Sequence, residues 1–73
     1  MKTAAQLNFG EYGIITGVDH SHPSARRILE VGFTPGQQIE LVNSTAFSDP
    51  LAFSLRGSVI AIRKSEADSI FVQ

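Results

Sequence analysis

The apolar residues of this chain come in short alternating segments that glycine and proline repeatedly interrupt. The longest uninterrupted apolar run has four residues, at 59–62. Alternation of apolar and polar side chains predicts strands near 12–18, 38–42, 51–56, 59–63 and 70–72. Residues 1–8 are expected to form a polar lead-in. Five short strands in 73 residues predict a mainly β chain that forms one small, partly open barrel.

One short helix is expected between the first two strands, at 24–31. Ala25, Ile28 and Leu29 share one face at helical spacing, and Pro23 suits the first turn. Gly32 is placed to end the helix. A helix of two turns is stable only when it packs on a sheet, so this apolar stripe should be buried. The pattern fits an SH3-like barrel and an OB-like barrel equally well.

Glycine and proline stand where the backbone has to turn. Pro35-Gly36 occupies the central positions of a type II turn, which predicts a positive φ at Gly36. Gly57 follows Arg56 in a tight reversal that predicts a hairpin between the third and fourth strands, and Gly17 predicts a bulge in the first strand. Positive φ is also expected at Gly10 and Gly13. The structural turn residues are therefore Gly10, Gly13, Gly32, Pro35, Gly36 and Gly57.

Composition excludes several classes of protein. Six basic and seven acidic residues give a net charge of -1. The chain therefore lacks the surplus of basic residues that is typical of a nucleic-acid-binding domain. No apolar segment approaches the ~20 residues of a membrane span, and the N-terminus lacks the apolar core of a signal peptide. Cysteine is absent, which removes disulfides and thiolate chemistry. We expect a single cytoplasmic domain over residues 1–73 that inserts in no membrane.

Residues 26–36, Arg-Arg-Ile-Leu-Glu-Val-Gly-Phe-Thr-Pro-Gly, resemble the helix-to-turn signature of the FeoA family. The family pattern is Arg-Leu-x-x-x-Gly-hydrophobic-x-Pro-Gly, and Ile28 stands here in place of its leucine. Three further stretches are similar to the family in order and spacing: Gly10-Glu11-Tyr12-Gly13-Ile14-Ile15, Asp49-Pro50-Leu51 with Gly57, and residues 62–72.

The resemblance implies a five-stranded SH3-like barrel with one short α-helix and no catalytic activity. It implies a cytoplasmic accessory protein of bacterial ferrous-iron transport that works with FeoB, a membrane transporter carrying a GTPase domain. The same module forms the C-terminal domain of DtxR-like repressors, so the alternative is a metal-responsive regulatory domain. We expect no cofactor, with Fe²⁺ or another divalent metal ion as the alternative, and the oligomeric state stays open.

One segment has the composition of a metal site. His20 and His22 are two residues apart beside Asp19, and a carboxylate with two imidazoles is a donor set for Fe²⁺ or Zn²⁺. The alternative is a solvated turn before Pro23. For enzymatic chemistry the sequence offers neither a G-x-S-x-G nucleophile elbow nor a phosphate-binding loop.

Aromatic residues are the candidates for binding a partner, because a barrel this small has limited room inside. Phe33, Phe47 and Phe71 either cap the barrel ends or form an exposed apolar patch. The helix face with Arg26 and Arg27 is the second candidate surface. Arg63 either contacts a partner or pairs locally with Glu66, and the local pair is favoured.

Overall fold

The structure is a computed structural model, and it describes residues 2–44 and 49–73. A 3₁₀ turn at Ala4–Gln6 precedes strand β1 (Tyr12–Val18) and helix α1 (Ala25–Glu30). Strands β2 (Gln38–Ser44), β3 (Leu51–Leu55) and β4 (Ser58–Ile62) follow, then helix α2 (Lys64–Ala67) and strand β5 (Ile70–Val72). The mainly β chain with five strands is confirmed.

The five strands form one antiparallel sheet in the order β4-β3-β2-β1-β5. The first half of β1 pairs with β2, and its second half pairs with β5. The register between β1 and β5 shifts between Ile15 and Gly17, which confirms the bulge predicted at Gly17. Because a bulge bends its strand, β1 serves two neighbours and curls the sheet around one core.

The N-terminal segment is part of the sheet and of the core, so the expectation of a polar lead-in is wrong. Thr3 forms a bridge with Phe71, and the Val72 amide donates to the Lys2 carbonyl at 2.9 Å. Ala4 and Leu7 are buried. The segment therefore covers the outer edge of β5.

Helix α1 closes one side of the core, as its apolar stripe predicts. Ala25 and Ile28 are buried, and Leu29 is half-buried against the same cluster. The chain then enters the core at Phe33, whose ring meets Phe53 edge-to-face with centroids 6.2 Å apart. The apolar interior is therefore built from α1, the turn after it and the inner faces of the strands.

Most of the predicted turns are confirmed. Gly36 has φ 92°, and the Gln37 amide closes the turn on the Thr34 carbonyl at 3.1 Å. Arg56 and Gly57 both have positive φ, 54° and 83°, which is typical of a type I′ hairpin turn.

Gly13 is the exception among the turn residues. It lies within β1 opposite Ile39 and is absent from the positive-φ glycines of the described chain. A Cβ at this position would lie 3.2 Å from the Cβ of Val72. Gly13 therefore serves close packing of β1 on β5, and its assignment as a turn residue is wrong.

Candidate binding site

An open cleft of about 480 Å³ lies where α1, α2, the start of β3 and the end of β4 meet. We call it the arginine cleft, because two arginines from different elements line it. Its wall combines charged groups with an apolar strip. The lining residues are Arg27, Asp49, Pro50, Ala61, Ile62, Arg63 and Glu66.

The carboxylate of Glu66 forms the buried base of this cleft. Glu66 is 4% exposed, so an unpaired charge at this position would be strongly destabilising. The Arg27 guanidinium donates to Oε2, and the Arg63 backbone amide donates to Oε1 at 2.9 Å. The Ser24 side chain adds a further hydrogen bond. The carboxylate thus ties α1 to the first turn of α2.

The partners of Glu66 keep it ionised despite its burial. Desolvation alone would raise its pKa, and it is the largest single influence on the group. The hydrogen bonds from Arg63, Arg27 and Ser24, with the charge of Arg27, outweigh desolvation and lower the pKa below its ordinary value. The base of the arginine cleft is therefore a fixed negative charge already satisfied by Arg27.

Arg63 does not form the local ion pair expected from the sequence. Its backbone amide contacts Glu66, whereas the ion pair to that carboxylate comes from Arg27, 39 residues earlier in the chain. The Arg63 side chain is exposed at the cleft, and among the described residues no carboxylate forms an ion pair with it. The cleft therefore presents an Arg63 guanidinium that is in no ion pair with a described carboxylate, in a lining that also carries Asp49.

Asp49 fixes the other wall of the cleft. Its Oδ1 accepts the Lys64 backbone amide at 3.0 Å, which satisfies one of the free amides at the start of α2. The short helix begins at Lys64, with Arg63 in the capping position. The contact joins the chain just before β3 to α2.

Two of the three proposed metal ligands, Asp19 and His22, are engaged in the turn that they form. Asp19 Oδ1 accepts the Ser21 hydroxyl at 2.7 Å and the Ser21 amide at 3.0 Å, and these bonds lower the pKa of Asp19. His22 Nδ1 accepts the Ser24 amide at 3.0 Å, and His20 is exposed. Within residues 2–44 and 49–73, no three His, Asp or Glu side chains are grouped to hold a metal ion.

The aromatic candidates separate into three cases. Phe33 is fully buried, so its candidacy for binding a partner is wrong: α1 ends at Glu30, and the backbone then turns this ring into the core. Phe71 is half-buried on β5 beside Thr3. Phe47 lies outside the described residues.

Other large apolar side chains take the exposed positions. They are Phe9, Tyr12, Val31 and Val59, with exposures of 76, 59, 40 and 67%. The sequence signal for two of them was available, since Phe9 precedes the Gly10 turn and Val59 alternates with half-buried Ile60 along β4.

The two helix arginines point to different surroundings. The Arg26 side chain is 91% exposed, and its Nε lies 3.5 Å from Glu30 Oε2, one turn further along α1. Arg27 faces Glu66 and lines the arginine cleft. Only Arg27 is therefore part of a formed pocket.

None of the helices described here has the length or the apolar character that crossing a bilayer requires. The largest is α1, which has six residues.

Comparison with solved structures defines the class of fold. FeoA of Stenotrophomonas maltophilia, solved in complex with zinc and described as an SH3 domain protein, is 26% identical with a TM-score of 0.87; the alignment covers 100% of this chain and 91% of that one. Iron(II) transport protein A of Clostridium thermocellum is 29% identical with a TM-score of 0.90, over 99% of this chain and 44% of that one. The fold is therefore an SH3-like barrel.

The family is shown by the sequence itself. The FeoA domain model matches residues 2–73, and the chain belongs to the FeoA family. A fusion of Fe(2+) transport protein A with the Fe(2+) transporter FeoB in Porphyromonas gingivalis is 28% identical over 69 residues, which are 94% of this chain and 8% of that protein. A manganese-dependent transcriptional repressor shares the fold alone, at 14% identity and TM-score 0.88, over 99% of this chain and 35% of that one.

Proposed function

We propose that this chain is a non-catalytic accessory protein of bacterial ferrous-iron transport that binds the cytoplasmic part of a FeoB-type transporter. The observation that carries the proposal is the fusion in P. gingivalis, where a relative of nearly the whole chain shares one polypeptide with FeoB. Fusion holds two modules at high effective concentration, as expected when they bind each other. The proposal places the chain in the cytoplasm.

The structure supports a binding role through the kind of surface that it presents. Exposed apolar side chains include Phe9 and Val59, and the arginine cleft adds a mixed polar and apolar pocket. Large apolar side chains in such surroundings are typical anchors of protein interfaces. The candidate contact residues are Phe47, Phe71, Arg26 and Arg27.

The test is a pull-down of the isolated chain with the cytoplasmic part of FeoB from the same organism. We expect the Phe47→Ser variant to weaken binding by about 1–2 kcal/mol or more. Its thermal melt should stay close to that of the unmodified chain. Phe9→Ser is measured beside it, because Phe9 is itself a candidate anchor at 76% exposure, and stronger weakening by this variant would place the interface at Phe9. If the unmodified chain fails to bind, the transporter partnership is wrong.

A metal-responsive domain is the second candidate function, and one observation favours it. The S. maltophilia relative was solved in complex with zinc. Anaerobic titration with Fe²⁺, followed through the ring NMR signals of His20 and His22, separates the two functions. Strong shifts of both rings would favour metal sensing, and unmoved signals would favour the accessory role.

A further inference from the structure

Strand β4 forms one edge of the sheet, and its outer side is unpaired within the described chain. It is hydrogen-bonded to β3 on one side only, and none of its backbone groups bonds to any other described element. The opposite edge is different, because the N-terminal segment bonds to β5 at Val72. The sheet therefore has one covered edge and one open edge.

The hairpin register identifies which amides of β4 point outwards. Leu55 and Ser58 flank the two-residue turn and pair directly, so they exchange hydrogen bonds. Bonded and non-bonded pairs alternate along an antiparallel ladder, which makes Ile60 and Ile62 the next bonded positions. Val59 and Ala61 therefore direct their N–H and C=O groups away from β3.

The open edge lacks the features that usually prevent strand addition. Natural edge strands carry charged residues, prolines or bulges that block pairing with another chain. Strand β4, Ser-Val-Ile-Ala-Ile, has no charge and no proline, and its register with β3 is unbroken. The side chains of Val59 and Ala61 are exposed. This edge is therefore suited to pairing with an extended segment.

Positive charge lies at both ends of the open edge. Arg56 is exposed in the turn before β4, and Arg63 is exposed directly after it, at the arginine cleft. Neither forms an ion pair with any carboxylate of the described chain. An incoming strand that fits this edge is therefore apolar in its centre and acidic at its two ends.

A second copy of this chain fits the edge poorly for the same reason. If two β4 strands paired antiparallel around Ile60, the turn carrying Arg56 in each copy would lie beside the end of β4 that is followed by Arg63 and Lys64 in the other. Like charges directly opposite each other destabilise a strand pair. Charge complementarity therefore selects a different, acidic chain.

We propose that the open edge of β4 binds an extended acidic segment of a protein partner, which pairs with Val59 and Ala61 and places carboxylates near Arg56 and Arg63. This is strand addition, in which backbone hydrogen bonds supply affinity and the flanking side chains supply specificity. The inference rests on the proposed binding function and names the surface and peptide chemistry for it.

The first test uses the whole chain and a synthetic peptide, acetyl-Glu-Val-Thr-Val-Thr-Val-Glu-amide. Seven residues span about 20 Å between the terminal carboxylates, which matches the length of β4 and its flanks. We expect the peptide to slow amide hydrogen exchange at Val59 and Ala61 by about tenfold or more. Ser58, Ile60 and Ile62 already bond to β3 and should change little. The same peptide with lysine at both ends is the control and should give no slowing.

Two variants test the geometry and the charge separately. Ala61→Pro removes an outward N–H that β3 does not use, and proline is tolerated at such edge positions. It should abolish peptide binding, whereas Ala61→Ser should retain it. If Ala61→Pro fails to fold, Arg63→Glu still tests the proposal. This variant should weaken binding of the acidic peptide about fivefold and strengthen binding of the lysine peptide.

Each alternative outcome has a definite meaning. Unchanged exchange at Val59 and Ala61 with millimolar acidic peptide overturns the proposal, as does slowing that grows with protein concentration in the absence of peptide. If the cytoplasmic part of FeoB binds while these two amides keep exchanging, the accessory function stands and the β4 site is wrong. If the acidic peptide binds β4 and FeoB does not bind, the β4 site stands and the transporter partnership is wrong.

Discussion

The guanidinium of Arg27 on α1 donates a hydrogen bond to the buried carboxylate of Glu66 on α2, and this contact joins the two helices across 39 residues of sequence. Helix α1 has six residues and α2 has four, so neither is stable on its own. The pair thus orders both helices against the barrel and shapes the arginine cleft.

The Arg27–Glu66 contact makes stability depend on pH in a defined direction. Because the pKa of Glu66 is lower in the folded chain than its ordinary value of 4.5, the unfolded chain binds the proton more readily. The stabilisation is complete above the unfolded pKa and is lost as pH falls through the folded pKa. We expect Glu66→Gln to lower the free energy of unfolding clearly at pH 7 and much less at pH 3, in chemical denaturation.

Comparing the unmodified chain with Glu66→Gln isolates the contribution of the Glu66 carboxylate. Glu11 and Asp19 also have lowered pKa values, and both are retained in the variant, so their effects cancel in the difference. A difference between the two proteins that is equal at pH 7 and pH 3 would show that the charge of Glu66 is not what stabilises the fold.

Gly36 tests the turn before β2. Its φ of 92° is strained for any side chain, although nothing lies within 4 Å of a Cβ built there. Gly36→Ala should therefore destabilise the chain by about 1–3 kcal/mol through backbone strain alone. Gly17→Ala is the matched control, because it meets equally open space without a positive φ. Thermal melts in which the two variants are equally stable would contradict this account.

Phe33 tests the corrected position of an aromatic residue. The ring is fully buried against Phe53, so Phe33→Ala should destabilise the chain by about 3–5 kcal/mol, which is most of the stability of a domain this small. Circular dichroism of the variant at 25 °C should show a largely unfolded chain. A variant that melts normally would return Phe33 to the list of surface anchors.

The stripe of α1 gives a graded prediction. Ile28 is fully buried and Leu29 half-buried, so Ile28→Ala should lower the free energy of unfolding by about 2–5 kcal/mol and Leu29→Ala by less. Denaturant titration of both variants measures which of them loses more free energy of unfolding. The reverse order would mean that α1 is rotated about its axis relative to the barrel.

The features that the sequence predicts well are those that local chemistry determines. The Pro35-Gly36 turn and the reversal at Gly57 follow from backbone preferences of the residues themselves, and the strands follow from alternation. The family resemblance was equally readable, since Arg27, Gly32 and Gly36 carry its spacing.

The features that the sequence did not predict depend on contacts between distant segments. Nothing local distinguishes Arg27 from Arg63 as the partner of Glu66; the packing of α1 beside α2 decides it. Gly13 is required by the approach of Val72 from the other end of the chain, and the burial of Phe33 depends on how the chain leaves α1. The arginine cleft has no sequence signature for the same reason.

The N-terminal segment, which bonds to β5 through Lys2 and Thr3, also limits how this sheet can grow. A sheet with two free edges can pair with a neighbouring molecule at each edge, and repeated pairing of this kind builds fibrils. Among the described residues, the edge beyond β5 is occupied by the N-terminal segment, which leaves β4 as the edge open to an added strand. A partner strand can therefore extend this sheet at the β4 end, whereas growth from the β5 end is blocked by the N-terminal segment.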